Sequence, residues 1–211
     1  GARVGILVEM LDYPAEKAKK AAASQIALAS LSSDSARADL AIVLAKDEIC
    51  RRAATKIFGH NLSILSVATE CRERLKSLFS DENSEVRKFA ADCFREVGDE
   101  RLTQETELIE SYLISPAFDD GCETLVYALE KSTSLMPDIV VRIANLIMDR
   151  CSLESDSVLW RRQGYNLPDL LLRVYQQTSD PAVKITCLDT IDRMLDEGFG
   201  AIDTDLEKVE R

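Results

Sequence analysis

A short unit recurs along this chain of 211 residues. It consists of a small apolar residue, a basic residue, two variable residues and a second small residue. Copies span residues 18–22, 50–54, 86–90 and 183–187, with a weaker copy at 141–145. The first and fifth residues of the unit share one face of a helix, because side chains four residues apart are neighbours there. Each copy therefore predicts an amphipathic helix that packs closely against another helix.

The spacing of the copies predicts a series of helix pairs. The copies begin 32, 36, 55 and 42 residues apart. Periods of about 20 to 50 residues are typical of solenoids, in which a two-helix repeat buries its apolar face only by stacking against its neighbours.

A turn that contains aspartate accompanies each copy. The turn residues are Asp12, Asp47, Asp81, Asp138 and Asp180. Because a carboxylate accepts backbone N–H bonds at a helix N-terminus, we predict that these residues start the second helix of each pair. We also predict that the basic residue of each unit pairs with a turn carboxylate of its own or the adjoining repeat, which gives a ladder of ion pairs.

Residues 80–90, with Asp81 in the turn and Val86-Arg87 in the following helix, resemble a HEAT repeat. The similarity covers residues 75–97, and it extends to 41–58 and 168–196. Armadillo and other helix-pair repeats have similar patterns. The resemblance implies a solenoid in which the second helices line a concave face.

The C-terminal segments 187–198 and 205–211 resemble the tails of large bacterial ATP-binding proteins, in which helical repeats follow an NTPase module. This resemblance implies a sensor or scaffold region of a bacterial NTPase, with the NTPase module outside this sequence. The sequence begins with Gly1 and not with methionine, which indicates a fragment of a longer polypeptide.

The composition agrees with a helical array. The 8 Gly and 5 Pro are few, and 46% hydrophobic residues suffice for a core. We predict an all-α fold, a right-handed α-α superhelix of the HEAT or armadillo type with about five to six helix pairs in a single domain over residues 1–211. The predicted repeats are 3–31, 35–58, 62–97, 103–132, 137–163 and 167–196, with a C-terminal helix from about 203.

The charge of the chain disfavours nucleic acid as a partner. The 26 Lys and Arg against 37 Asp and Glu give a net charge of −11. Residues 1–98 carry a net charge of +1 and residues 99–211 one of −12, so a local basic patch in the first half stays open.

The sequence contains no motif of the common nucleotide-binding, hydrolase or metalloprotease sites. We therefore expect no catalytic residue, no metal site and no cofactor. His60, the single histidine, follows a glycine near a predicted helix end, which favours a capping or surface role.

The six cysteines are 21 to 36 residues apart and form no CxxC pair, which predicts reduced, buried thiols and a cytoplasmic protein. No run of 18 apolar residues occurs, so we expect no membrane association.

Two surfaces are candidates for partner binding. The first is a concave second-helix face that carries Lys19, Lys20, Arg51, Arg52, Arg87 and Lys88. The second is the irregular insertion at 152–166, where Trp160, Arg161, Arg162 and Tyr165 have the side chains that dominate interface energetics. We predict a non-catalytic protein–protein interaction scaffold or sensor segment; the alternative is a nucleic-acid-binding HEAT module that uses residues 17–88. The oligomeric state is left open.

Overall fold

The computed structural model describes residues 2–150 and 166–197, and every regular element in these two ranges is a helix. The helices are α1 (Ala2–Met10), α2 (Glu16–Ser30), α3 (Asp34–Leu44), α4 (Glu48–Asn61), α5 (Leu65–Phe79), α6 (Ser84–Ala91), α7 (Asp99–Leu102), α8 (Thr106–Leu113), α9 (Ala117–Lys131), α10 (Pro137–Arg150), α11 (Asn166–Gln177) and α12 (Pro181–Asp196). A 3₁₀ helix, η1 (Asp92–Arg95), directly follows α6. The all-α class predicted from the sequence is confirmed.

The chain divides into two compact units, Gly1–Leu125 and Val126–Arg211. In the first unit, helices that are consecutive in the chain pack as pairs: α1 with α2, α3 with α4, and α5 with α6. The second helix of each pair also packs against that of the next pair, so that α2 contacts α4, and α4 contacts α6 and η1. The helices that carry the first three copies of the repeated unit are therefore neighbours.

Two of the predicted turn aspartates start a helix. Asp47 Oδ1 accepts a hydrogen bond from the backbone N–H of Cys50 at 3.1 Å, and Asp180 Oδ1 accepts one from the N–H of Ala182 at 2.9 Å. Pro181 occupies the first turn of α12, where a missing N–H leaves no hydrogen bond unmade. The prediction for these two helices is confirmed.

The same prediction is wrong for α2 and α6. The residue before α2 is Ala15, which has no capping side chain, and the cap of α6 is Asn83, whose Oδ1 accepts from the N–H of Glu85. Asp81 instead accepts from the N–H of Asn83 inside the turn. The extra residues between Asp12 or Asp81 and the next helix place these carboxylates too far upstream to cap it.

Ion pairs connect the turns of the first two helix pairs. Lys19 Nζ lies 2.6 Å from Asp47 Oδ2, and Lys46 Nζ lies 2.6 Å from Asp12 Oδ1. These contacts hold the N-terminal ends of α2 and α4 side by side. The Lys19–Asp47 pair is of the predicted type, between the basic residue of a unit and the turn of the adjoining helix pair, whereas Lys46 lies outside the units and its pair with Asp12 was not predicted.

Further along the first unit, arginines contribute to the same pattern. Arg87 pairs with Asp120 and donates to the backbone carbonyl of Asp81 at 2.7 Å. Arg51 donates to the backbone carbonyl of Lys46 in its own turn. Each of these side chains binds the turn that precedes its own helix.

A cluster of aromatic rings fills the core of the first unit. Tyr112 has its ring centroid 5.3, 5.0 and 5.7 Å from those of Phe79, Phe94 and Phe118, respectively, in edge-to-face contacts. Its buried hydroxyl donates to the carbonyl of Gly121 at 2.7 Å. Gly121 has non-helical dihedral angles, and α9 is kinked there.

Close helix packing in the first unit depends on Gly59. A Cβ atom at this position would lie 2.7 Å from the carbonyl oxygen of Cys93. The absence of a side chain therefore allows α4 to approach η1.

In the second unit, α10, α11 and α12 all pack against one another. Arg173 donates to the carbonyls of Leu129 and Glu130 at 2.7 and 2.8 Å, which satisfies backbone acceptors at the end of α9. Arg193 pairs with Asp149 at 2.6 Å and so joins α12 to α10.

Several boundaries differ from the prediction. The predicted repeat 62–97 ends in the 3₁₀ helix η1, which carries Phe94 of the aromatic cluster. The predicted repeat 103–132 begins between α7 and α8, so α7 precedes it. Residues 151–165, which include part of the predicted repeat 137–163, and the C-terminal helix expected from about 203 lie outside the described residues.

The five described cysteines are buried free thiols, as predicted, and the sixth, Cys151, lies outside the described residues. Within the described residues, no helix is long and apolar enough to cross a membrane.

Candidate functional site

A groove lies between α2 and α4, the second helices of the first two pairs. Its volume is about 470 Å³, within the range of about 300 to 1,000 Å³ that is usual for ligand pockets. Its lining residues are Glu16, Lys20, Ser24, Glu48, Ile49, Arg52, Ala53, Lys56, Ile57 and His60. An apolar strip of Ile49, Ala53 and Ile57 is therefore bordered by charged side chains.

The spacing between paired lining residues equals the first interval of the sequence repeat. Glu16 and Glu48, Lys20 and Arg52, and Ser24 and Lys56 are pairs of lining residues, and the members of each pair are 32 residues apart. Equivalent positions of two consecutive copies thus lie on opposite walls.

The charged side chains of the groove pair mainly within their own helix. Lys20 pairs with Glu16 on α2, and Arg52 Nη2 lies 2.9 Å from Glu48 Oε1 on α4. All four side chains are more than half exposed, so each pair contributes only about 0 to 1 kcal/mol and exchanges readily with other charges. The groove therefore presents both signs of charge.

A smaller cavity of about 250 Å³ adjoins the groove between α4 and η1, and Arg52, Lys56, Asp92 and Glu96 are among its lining residues. Glu96 contacts Lys56 at 3.0 Å and His60 Nε2 at 3.3 Å. Burial raises the pKa of Asp92 above its ordinary value. The two cavities share Arg52 and Lys56, so they form one continuous surface.

Arg52 has a defined position at the junction of the two cavities. Its guanidinium carbon lies 5.4 Å from the centroid of the Phe89 ring, within the range of a cation–π contact. Phe89 is buried, whereas the Arg52 side chain is more than half exposed. The guanidinium therefore lies between a buried ring and solvent.

The structure separates the six predicted basic residues into two sets. Lys19, Arg51 and Arg87, the second residue of each copy, bind turn carboxylates or carbonyls as described above. Lys20 and Arg52, the third residue of the first two copies, line the groove. Lys88, the equivalent residue of the third copy, is half-buried on α6 and is not among the groove-lining residues.

The second predicted surface lies outside the described residues. It comprised Trp160, Arg161, Arg162 and Tyr165.

His60 is within α4, one residue before its end, where half of its side chain is exposed and contacts Glu96. The surface position predicted for His60 is confirmed.

A buried charged cluster was not foreseen from the sequence. Glu105 is only 1% exposed; it accepts from Arg72 Nε at 2.7 Å and lies 2.6 Å from Arg101 Nε. Arg72 donates to Glu105 from α5, and Arg101 lies four residues before Glu105, so the carboxylate is held between two arginines, which is typical of a structural cluster. The i,i+4 spacing relates Arg101 to Glu105, but no local spacing relates Arg72 to either of them.

The buried thiols have little nucleophilic character. Burial raises the pKa of Cys50 and of Cys71 to about 11 and the pKa of Cys93 well above its usual value. Since the thiolate is the reactive form, these residues serve packing. Within the described ranges, no group of three or more His, Cys, Asp or Glu side chains is arranged to hold a metal ion.

The fold and the groove together define an all-helical chain with a charge-lined surface between paired helices. No family model matches this chain, and no curated protein matches it. Among solved structures, the crystal structure of an engineered protein from a structural genomics consortium is similar, with 14% sequence identity and a TM-score of 0.40 over 93% of this chain and 98% of that chain. A TM-score of this size supports no conclusion about function.

Proposed function

We propose that this chain is a HEAT-like repeat array that acts as a protein–protein interaction scaffold and binds its partner on the α2–α4 surface. The observation that carries the proposal is the groove whose opposite walls contain three pairs of equivalent residues of successive repeats. Repeat proteins use such surfaces for binding, because identical positions of stacked repeats form one extended face.

The packing of the first unit supports the repeat assignment. Three helix pairs stack with their second helices adjacent, and the turn of one pair binds a basic residue of another through Lys19 and Asp47. In the proposed right-handed superhelix, these second helices line the concave face. The same arrangement explains why the copies of the unit begin 32 and then 36 residues apart.

The charges of the surface favour a protein over a nucleic acid. The basic residues of the groove alternate with Glu16 and Glu48, and Glu96 compensates Lys56 from the other side. A nucleic-acid site requires a continuous positive surface, and one for single strands also requires aromatic stacking platforms. None of the ten described residues that line the groove is Phe, Tyr or Trp. The proposal includes no catalytic residue and no cofactor.

Chemical crosslinking followed by measurement of affinity tests the proposal. A tagged protein is crosslinked in lysate of its source cells, and partners that crosslink through Lys20 or Lys56 are purified for calorimetry. We expect Lys20→Glu and Lys56→Glu to weaken binding about tenfold or more, since the loss of charge contacts costs more than about 1.4 kcal/mol. Lys184→Glu, on α12, is the matched control and should bind like the wild type.

Two results would contradict this assignment. One is a partner whose affinity is the same for the wild type and for both groove variants. The other is a gel shift with duplex DNA or RNA that is strong at about 50 mM salt, weakens at about 200 mM and is lost in Lys20→Glu, which would establish the nucleic-acid alternative.

A further inference from the structure

We infer that the occupant of the α2–α4 groove is a peptide segment of a partner protein in which an apolar side chain is followed closely by Asp or Glu. The inference rests on the proposed function and adds the chemistry of the partner. In this arrangement the apolar side chain lies on the strip of Ile49, Ala53 and Ile57, and the carboxylate binds Arg52.

The shape of the groove suits such a segment. A volume of about 470 Å³ accommodates one or two large side chains but not a folded domain. Ile49 and Ile57 are only partly buried, so an apolar side chain placed between them removes further apolar surface from water. The apolar residue of the peptide would therefore provide the anchor.

The sign of the charge follows from the lining of the groove. Lys20, Arg52 and Lys56 face it, against Glu16 and Glu48. Glu96, which compensates Lys56, lines the neighbouring cavity and not the groove itself. The groove also lies in the half of the chain that carries a net charge of +1, away from the acidic second half in the sequence. The lining cations outnumber the lining carboxylates by one, and an incoming carboxylate can replace the exposed Glu16 or Glu48 as the partner of Lys20 or Arg52.

Arg52 is the residue best placed to bind that carboxylate. A guanidinium presents parallel N–H donors that match a carboxylate, and the guanidinium of Arg52 also lies within cation–π distance of Phe89. Its pair with Glu48 is exposed on both sides, so the exchange of Glu48 for a partner carboxylate costs little. The position between two cavities gives access from either side.

Selection from a phage-displayed library of random short peptides tests the inference on the full chain. The library is panned in parallel on the wild type and on Arg52→Glu, after circular dichroism has shown equal helix content. We expect the wild type to enrich peptides with an apolar residue next to Asp or Glu, and Arg52→Glu to enrich none of them. A fluorescein-labelled peptide of the enriched type should then bind Arg52→Gln about tenfold more weakly or worse, but Arg52→Lys less so.

Matched variants decide between the outcomes. Lys184→Glu should bind the labelled peptide like the wild type, whereas Lys20→Glu should weaken it. Enrichment of basic peptides, no enrichment at all, or equal binding by wild type and Arg52→Glu would overturn the inference. A natural partner that crosslinks at Lys20 or Lys56 through a segment without acidic residues would also overturn it and leave the proposed function intact.

Discussion

Lys19 Nζ donates a hydrogen bond to Asp47 Oδ2 at 2.6 Å and so ties α2 to the start of α4. Asp47 at the same time caps α4 through the backbone N–H of Cys50. The hydrogen bond from Lys19, together with that from Cys50, holds the pKa of Asp47 at about 2, below its ordinary value of 3.8. One carboxylate therefore connects two neighbouring second helices and starts one of them.

Two substitutions at Asp47 separate these roles. Asp47→Asn keeps the capping oxygen and removes the ion pair, whereas Asp47→Ala removes both. We expect Asp47→Ala to be less stable than Asp47→Asn by about 1 kcal/mol, the usual contribution of an N-cap, in urea unfolding at neutral pH. Equal stabilities of the two variants would show that the cap contributes nothing.

The lowered pKa of Asp47 predicts a pH dependence. Because the ionised form is favoured in the folded state, its stabilisation is fully present above about pH 4 and is lost as the pH falls through about 2. The difference in unfolding free energy between the wild type and Asp47→Asn should shrink over this range. In a Lys19→Met background the main cause of the shift is absent, so the same difference should depend much less on pH. A difference that stays constant from pH 5 to pH 2 would contradict the assigned cause.

Two glycines inside helices should respond in opposite directions to alanine. A Cβ at Gly59 would lie 2.7 Å from the Cys93 carbonyl, whereas a Cβ at Gly5 in α1 meets nothing within 4 Å. We expect Gly59→Ala to destabilise the fold by about 1 to 3 kcal/mol through overpacking. Gly5→Ala should stabilise it by about 0.5 to 1 kcal/mol, because alanine has the better helix propensity. Chemical unfolding of both variants checks the pair, and a stabilising Gly59→Ala would contradict the close approach of α4 and η1.

The sequence predicted the all-α fold and some of the residues that line the groove. The 32-residue interval between the first two copies predicted that Lys20 and Arg52 occupy equivalent places, and they line the same groove. Lys19 and Arg51 were predicted both to pair with turns and to lie on the binding face; they bind turns, and neither is among the groove-lining residues. Adjacent residues of a helix are about 100° apart, so two consecutive basic residues cannot both face one groove.

Other features depend on contacts that no local pattern encodes. The kink of α9 lies at Gly121, where a Cβ would be 3.0 Å from the Cβ of Ala91. The 3₁₀ helix η1 carries Phe94, whose ring contacts Tyr112 in the aromatic cluster. Periodicity describes the face of one helix, and it contains no information on how a distant segment fills the remaining space.

The hydroxyl of Tyr112 should contribute measurably to stability. Tyr112→Phe removes the donor to the Gly121 carbonyl in a fully buried site and leaves that acceptor unsatisfied. We expect a loss of about 1 to 3 kcal/mol in the free energy of unfolding. Tyr13→Phe, at an exposed position, is the control and should change stability by less than about 0.5 kcal/mol. Equal effects of the two substitutions would show that this hydrogen bond contributes nothing to stability.

Neutralisation of the buried carboxylate of Glu105 should lower the free energy of unfolding more than neutralisation of any other charge in the first unit. It accepts from Arg72 and lies against Arg101, and its neutralisation in Glu105→Gln leaves two arginines, both largely shielded from solvent, without their common partner. The loss of one partner of a buried pair costs about 3 to 5 kcal/mol, and the partial exposure of Arg72 places our expectation near about 3 kcal/mol.

Glu107→Gln is the matched control for Glu105→Gln, because it changes the same chemical group two residues away. Glu107 pairs with Lys76 at the surface and is mostly exposed, so its neutralisation should change stability much less than that of Glu105. Thermal and urea unfolding of both variants give the comparison directly. If Glu105→Gln were as stable as Glu107→Gln, the two arginines would have to find other acceptors, and the cluster would not be what joins α5, α7 and the start of α8.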